Sequence, residues 1–322
     1  MSGGVSVSIV TWNHADCIEA CLNSLLRQTR APLEIIVTDN ASTDATPSVL
    51  EKFADRVTIR RNDRNLGFCG GHNVALRACR GSFVLLANPD AVFEPDYVAQ
   101  ALQAFEKDPK IGTVCGVLYR EGRILDGAGL SLGRNRQFSL VGNGRTDDVL
   151  PKEDFEVFGA DGAAPMYRKE AIDDLTIDGQ FFDELFFAHK EDHDVSWRAR
   201  LRGWRTVCAV SCKAVHPRNF RPNDLRRRKE MHPVTRLNAV KNFFLVLLKN
   251  DDALSLLRDL PWWLPRQVLV FGYIVLFERD SLPAYGFLLT HWGRIREARR
   301  RIRESRRISR REISAWVGRS PL

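Results

Sequence analysis

Within its first ninety residues the chain alternates four short apolar runs with helical patterns, and that alternation leaves few folds open. Residues 5–10, 33–38, 57–61 and 83–87 read as strands, and residues 16–27, 44–53 and 71–79 read as helices, from the spacing of their apolar side chains. Strands joined by helices of this length imply right-handed crossovers, so the expected class is α/β, a mostly parallel sheet flanked by helices. Ligands of such sheets sit beyond the carboxyl ends of the strands. The pattern alone names no ligand.

The residues at those ends suit the place. Thr11-Trp12-Asn13-His14 follows the first strand, Asp39-Asn40-Ala41-Ser42-Thr43-Asp44 the second, and Asn65-Leu66-Gly67-Phe68-Cys69-Gly70-Gly71-His72-Asn73 the third. Ser42 to Asp44 read as a helix N-cap, whereas Asp39 could accept hydrogen bonds from a base or ribose. Gly67, Gly70 and Gly71 would let backbone approach a ligand at a helix N-terminus, or belong to an ordinary loop. The fourth run is apolar throughout and ends in Asn88-Pro89-Asp90, which is either turn chemistry or a presented carboxylate.

A helix at 96–107 and a strand at 111–119 precede residues 121–154, read as a long surface excursion of the kind that carries substrate contacts. An aromatic run at 181–187 then leads into Glu191-Asp192-His193-Asp194 and a helix that Gly203 stops. Acids suit a helix N-terminus. Three in four positions exceed what one cap needs, and the apolar wall before them would raise a carboxyl pKa toward that of a general base. Asp192 or Glu191 is the candidate. His216 is either a hydrogen-bonded structural residue or a metal ligand.

Charge divides the chain. Residues 218–322 hold 23 of the 48 Lys+Arg but 10 of the 40 Asp+Glu, so this basic end is expected to meet something anionic. Its apolar segments, 239–248 and 260–277, are shorter or more interrupted than the about 20 apolar residues of a spanning helix. They fit helices in a membrane interface or an extension packed on the first part. Ten arginines lie within 294–311. Each would contribute about 1 kcal/mol at an anionic lipid surface; without interleaved aromatics they do not suggest a nucleic-acid partner. The seven cysteines form no C-x-x-C pair and read as reduced, mostly buried thiols, and residues 1–10 lack the basic start of a cleavable signal.

Taken in order, these blocks resemble glycosyltransferase family 2, the inverting nucleotide-sugar transferases of GT-A fold, and within it the rhamnosyltransferase-like enzymes. The matching residues are 7–13, 37–44, 65–68 with 70–73, Leu86-Ala87-Asn88-Pro89-Asp90, Gly159-Ala160-Asp161-Gly162-Ala163-Ala164, Phe182-Asp183-Glu184, 191–198 and His216. The resemblance implies that Thr11, Asn13 and Asp39 bind the donor nucleoside, and that Asn65, Gly67, Gly71 and Asn88 line its ribose and diphosphate side. It further implies a divalent cation, Mg²⁺ or Mn²⁺, at Asp90 with His216 approaching it. Asp192 with Glu191 would take the acceptor's proton, and Asp161, Gly162 and Trp197 would lie on the acceptor side. The family's D-x-D is Asn88-Pro89-Asp90 here, and an amide oxygen is a weaker ligand than a carboxylate.

The expected partners are a nucleoside-diphosphate sugar (dTDP-rhamnose before UDP-sugars), a glycan or polyprenyl-diphosphate-linked acceptor, and an anionic membrane surface, with no nucleic acid. The chain divides as a catalytic domain at 1–217 and a helical, basic region at 218–322, on the cytoplasmic face of the plasma membrane. A nucleotidyltransferase would need a basic, glycine-rich loop where Thr11-Trp12-Asn13-His14 stands.

Overall fold

The computed structural model describes residues 3–217, 228 and 230–322. The alternation read from the sequence holds: β1 (Val5–Thr11), α1 (Ile18–Leu26), β2 (Glu34–Asp39), α2 (Thr46–Glu51), β3 (Thr58–Arg61), α3 (Gly67–Leu76) and β4 (Phe83–Ala87). Their strands lie in the order β4-β1-β2-β3 and pair in parallel, with Ser8 opposite both Ile36 and Leu86. All five residues of β4 are buried, as an apolar run covered on both faces requires.

The chain continues through β5 (Val92–Phe93), α4 (Tyr97–Glu106), β6 (Ile111–Glu121), β7 (Ile124–Gly127), β8 (Leu130–Leu132), β9 (Phe138–Leu140), β10 (Phe155–Val157), β11 (Met166–Arg168), α5 (Lys169–Leu175), α6 (Glu191–Arg202) and β12 (Arg205–Val215). β11 enters antiparallel between β4 and β6, and β12 pairs in parallel with β6. The sheet therefore runs β10-β12-β6-β11-β4-β1-β2-β3. Ile18, Leu22 and Leu25 of α1 and Val98 and Phe105 of α4 cover one face; Cys69 and Leu76 of α3 and Val195 and Trp197 of α6 cover the other.

Two segments differ from expectation. Residues 121–154 are a surface excursion only in part: Leu125, Ala128, Leu130 and Leu132 are buried in β7, β8 and the link between them, while most of 133–154 is exposed or half-buried. Strands of three or four residues are too short to show a period among Gly, Arg and Asp. Helix α3 begins at Gly67, four residues before the expected start, so its glycines lie within the helix. The cysteines are free and, Cys17 apart, buried.

Among the described residues six further helices follow: α7 (Pro233–Asn250), α8 (Ala253–Arg258), α9 (Leu260–Phe277), α10 (Pro283–Thr290), α11 (Trp292–Glu304) and α12 (Arg310–Ser314). The expected boundary at 217/218 opens onto residues outside the described ones. α7 lies against α6, while α10 and α11 pack on α7. Buried Arg136, between β8 and β9, is clamped by Asp251 (2.5 Å) and Asp259 (2.9 Å).

The arginine run is helical to Glu304 and again from Arg310, and it is in part tied to the body, Arg301 pairing with Asp178 and Arg307 with Asp174. α9 runs unbroken through Pro265, and by length and composition it could cross a membrane, which the interrupted sequence did not suggest. Of its side chains Gln267 and Ile274 are buried, while Val268, Leu269, Leu276 and Phe277 face outward.

Candidate active site

The carboxyl ends of β1, β2, β4 and β12 and the start of α6 bring the candidate residues to one edge of the sheet. At the β1–β2 end Thr11 and Asp39 are buried side by side in register. Asp39 Oδ1 accepts from the Ser42 N–H (3.1 Å). Asn13 sits in the left-handed region (φ 59°), which a short amide side chain tolerates. Its Oδ1 accepts from the N–H of Thr43 (2.8 Å) and of Asp44 (3.3 Å), strapping the two strand-end loops together. Ser42 and Thr43 thus bond to the β1 and β2 ends, while Asp44 Oδ1 accepts from the Thr46 N–H (2.9 Å) at the start of α2, as the capping reading expects.

The Asn65 segment is not an open cradle. Asn65 Oδ1 accepts from the Gly67 N–H (2.8 Å), and Gly67 (φ 70°) lies directly beneath Phe187. Gly71 is closed against Val10, where a Cβ would clash. Both glycines permit the close packing of α3 against Phe187 and Val10.

The second cluster lies at the ends of β4 and β12. His216 Nε2 is 3.4 Å from Asp90 Oδ1 and 3.3 Å from Asn88 Nδ2. Its Nδ1 meets fully buried Asp126 Oδ2 at 2.9 Å, and Arg120 Nε donates to the other Asp126 oxygen (3.1 Å). Burial works against charging His216, yet the bonds to Asp126 and Asp90 prevail and raise its pKa to about 9. Asp90 responds in kind: burial would raise its pKa, but His216 brings it below the usual carboxylate range.

A divalent cation fits this arrangement. A carboxylate and an imidazole converge, and Asp126 orients the imidazole by the carboxylate–histidine pairing common behind metal ligands. Among the described residues no group of three or more His, Cys, Asp or Glu converges on one point, so the remaining coordination would fall to water and substrate phosphate, as Mg²⁺ favours. The Asn88 amide approaches His216 Nε2 at 3.3 Å, beside Asp90. Asp126 was missed because it lies 90 residues from its partner. The apolar neighbours Leu125 and Ala128 were the one local sign that it is buried.

The third cluster is the start of α6, where the acids separate into different roles. Asp194 is structural: it binds Arg198 Nε (2.9 Å), Lys249 Nζ (3.1 Å) and Asn250 Nδ2 (2.7 Å). Glu191 is buried, with Oε2 unpartnered among the described residues. Burial, then the Asp192 charge, raises its pKa to about 8, so at neutral pH it holds its proton. Asp192 is less enclosed; Oδ1 accepts from the His193 N–H (2.8 Å) and Oδ2 from the Gly162 N–H (3.2 Å). The next residue, Ala163, accepts from the Asn88 N–H (2.8 Å) through its carbonyl. One short stretch, Asp161 to Ala163, therefore joins the Asp192 cluster to the Asp90–His216 cluster.

Before α6 the backbone enters the left-handed region at Phe187, His189 and Lys190 (φ 64°, 71° and 67°), each costing about 1–3 kcal/mol. Trp197 is a correction. It is 1% exposed and packs against Phe158 in the core, so its side chain is covered rather than presented at the sheet edge.

A family model described as Glycosyl transferase family 2 matches residues 6–176. The chain is 31% identical over 151 residues to chondroitin synthase of Escherichia coli, covering 46% of this chain and 20% of that protein. It is 26% identical over 242 residues to the N-acetylglucosaminyl-diphospho-decaprenol L-rhamnosyltransferase of Mycobacterium tuberculosis, covering 67% and 76% respectively. The chain spans less than two fifths of the length of the first curated relatives it matches.

Among solved structures, S. aureus TarS 1-349 in complex with UDP superposes with a TM-score of 0.57 at 18% identity, over 94% of this chain and 87% of that one. The mannosyltransferase PcManGT of Pyrobaculum calidifontis, with GDP-Man and Mn²⁺, gives 0.56 at 19%, over 91% and 76%. These likenesses are of fold.

Proposed function

The chain belongs to glycosyl transferase family 2 and is a glycosyltransferase, and we propose that it transfers one sugar with inversion from a nucleoside diphosphate to an acceptor hydroxyl. The observation that carries this reading is the bonded path from Asp192 through Gly162 and Ala163 to Asn88, beside Asp90 and His216. It ties a carboxylate, through Gly162 and Ala163, to the strand end that carries the pair of groups suited to a diphosphate.

In this reaction the acceptor hydroxyl attacks the anomeric carbon, Asp192 takes its proton, and the nucleoside diphosphate departs from the opposite face. Glu191, neutral below about pH 8, keeps a second negative charge away from the base. Thr11, Asn13 and Asp39 form the nucleoside end. Asp90 and His216 would hold Mg²⁺ or Mn²⁺, which when bound offsets charge on the departing diphosphate. Asp161 and Gly162 border the acceptor.

The M. tuberculosis relative named as a rhamnosyltransferase acting on a diphospho-decaprenol supports dTDP-rhamnose as donor and a polyprenyl-diphosphate-linked acceptor in polysaccharide synthesis. TarS, solved with UDP, supports UDP-sugars as the second choice.

A lipid-linked acceptor also accounts for residues 218–322 as a membrane-associated region on the cytoplasmic side. The outward face of α9 carries Val268, Leu269, Leu276 and Phe277, and Arg296 and Arg303 of α11 have no ion pair among the described residues. Those two arginines border an open groove of about 800 Å³ floored by Leu248, Ala253 and Leu256. Outward apolar side chains on one helix and unpaired cations on another both suit an anionic lipid interface.

The deciding experiment is Asp192→Asn. Transfer from dTDP-rhamnose should fall by at least about 100-fold while nucleotide binding is retained. Near-normal turnover would refute the base assignment.

A further inference from the structure

Helix α7 lies beyond the residues matched by the family model, yet its side chains reach both sides of the acid pair. Upstream, Lys241 Nζ donates to the Leu185 carbonyl (2.7 Å). Asn242, fully buried, directs Nδ2 to three carbonyls in succession along the turn: Phe186 (3.0 Å), Ala188 (2.9 Å) and His189 (2.6 Å). Downstream, Lys249 and Asn250 hold Asp194, and Lys249 also binds Asp183 (2.7 Å).

The segment so held contains the three left-handed residues Phe187, His189 and Lys190, and Glu191 and Asp192 follow at once. Non-glycine residues remain in that region when their surroundings over-determine them. The opposite side of the turn is fixed by α3: the Cys69 N–H donates to the Phe187 carbonyl (3.1 Å), and Gly67 packs under Phe187. The turn is thus gripped between α3 and α7.

The chemistry of the grip explains the residue type. Three carbonyls facing one point need a donor, and the amide supplies two N–H groups while its Oδ1 lacks a partner among the described residues. Asp in this place would present an oxygen to three carbonyl oxygens, and Leu would take the amide's donors away from all three, of which the Phe186 carbonyl keeps the Ala188 N–H (2.8 Å). Packing alone would be met by any side chain of this volume.

We infer that Asn242 is a positioning residue of the transfer reaction, holding from α7 the left-handed turn that aims Asp192. The inference rests on Asp192 being the base. It makes the C-terminal helices part of the active site, so a chain ending near residue 218 would lose transfer even where the sheet still folds.

The test is Asn242→Leu in the full chain, followed as dTDP release from dTDP-rhamnose with Mn²⁺, together with hydrogen exchange read by mass spectrometry. A misplaced catalytic group costs up to about 100-fold in rate. The expected result is a kcat lower by about 10- to 100-fold, a donor KM within about twofold of wild type, and faster exchange at 186–192 with the sheet unchanged. A wild-type kcat overturns the proposal, as does a loss of melting temperature with exchange raised across the whole chain. If Asn242→Leu fails to fold, Asn242→Ser, which keeps one donor, is judged by the same criteria. Asp192→Asn run in parallel separates the two claims: inactive Asp192→Asn beside active Asn242→Leu refutes the positioning role alone, whereas active Asp192→Asn refutes the base reading and the inference with it.

Discussion

Glu191→Gln replaces a buried carboxyl by a neutral amide of the same shape, and its effect on stability should depend on pH. The wild-type carboxyl titrates near 8 in the folded chain against 4.5 for the ordinary group, because burial and the Asp192 charge both disfavour its ionised form. Between those two values the folded state keeps a proton that the unfolded state has released. Stability therefore falls as pH rises through this window and levels off above about 8. At about 1.4 kcal/mol per pH unit, the ceiling on the loss is about 5 kcal/mol. Gln does not titrate, so the variant lacks this slope and gains on wild type from pH 5 to pH 9.

Urea unfolding of both proteins at pH 5, 7 and 9 measures the difference, from which every other titrating group common to the two chains cancels. Since Asp192 supplies part of the shift, the gain should shrink when both chains also carry Asp192→Asn. A stability difference constant within about 0.5 kcal/mol across that range, or one moving the opposite way, would refute the claim that Glu191 is held neutral.

Further outcomes follow from other clusters. Asp90→Ala should remove the part of nucleotide binding that depends on Mn²⁺, read as loss of the metal-dependent rise in melting temperature with dTDP or UDP; an unchanged rise would exclude Asp90 as a ligand. Arg136→Ala leaves buried Asp251 without its ion-pair partner, while Asp259 keeps Arg134 and Arg258, and should cost about 3–5 kcal/mol in denaturant unfolding. Leu269→Glu should weaken sedimentation with vesicles containing phosphatidylglycerol by about 1.5–3 kcal/mol, the value of burying one such side chain. Binding equal to wild type would mean that α9 does not enter the lipid interface.

The local order of the first ninety residues fixed most of what positions the site. Apolar runs with period and punctuation set β1 to β4, and the polar residues following them lie at the strand ends because a crossover leaves nowhere else for them. Asp90, His216, Asp39 and Asp192 were legible for the same reason: each stands at the end of a strand or the start of a helix that the sequence marks. Periodicity reports only on residues near in the chain, however. The Asp126–His216 bond closes 90 residues, and the Asn242 bonds to the turn close 53 to 56, so neither left a local trace.

Tertiary packing also sorted residues of one type into different roles. Glu191, Asp192 and Asp194 are interchangeable acids in the sequence; burial makes the first neutral, Lys249 and Arg198 make the last structural, and the middle one is left against the Gly162 N–H. Trp197 shares their helix but points into the core, since successive residues on a helix diverge by about 100°. The order of elements was written in the chain. Which side chains meet was decided by the sheet and by the helices that close over it.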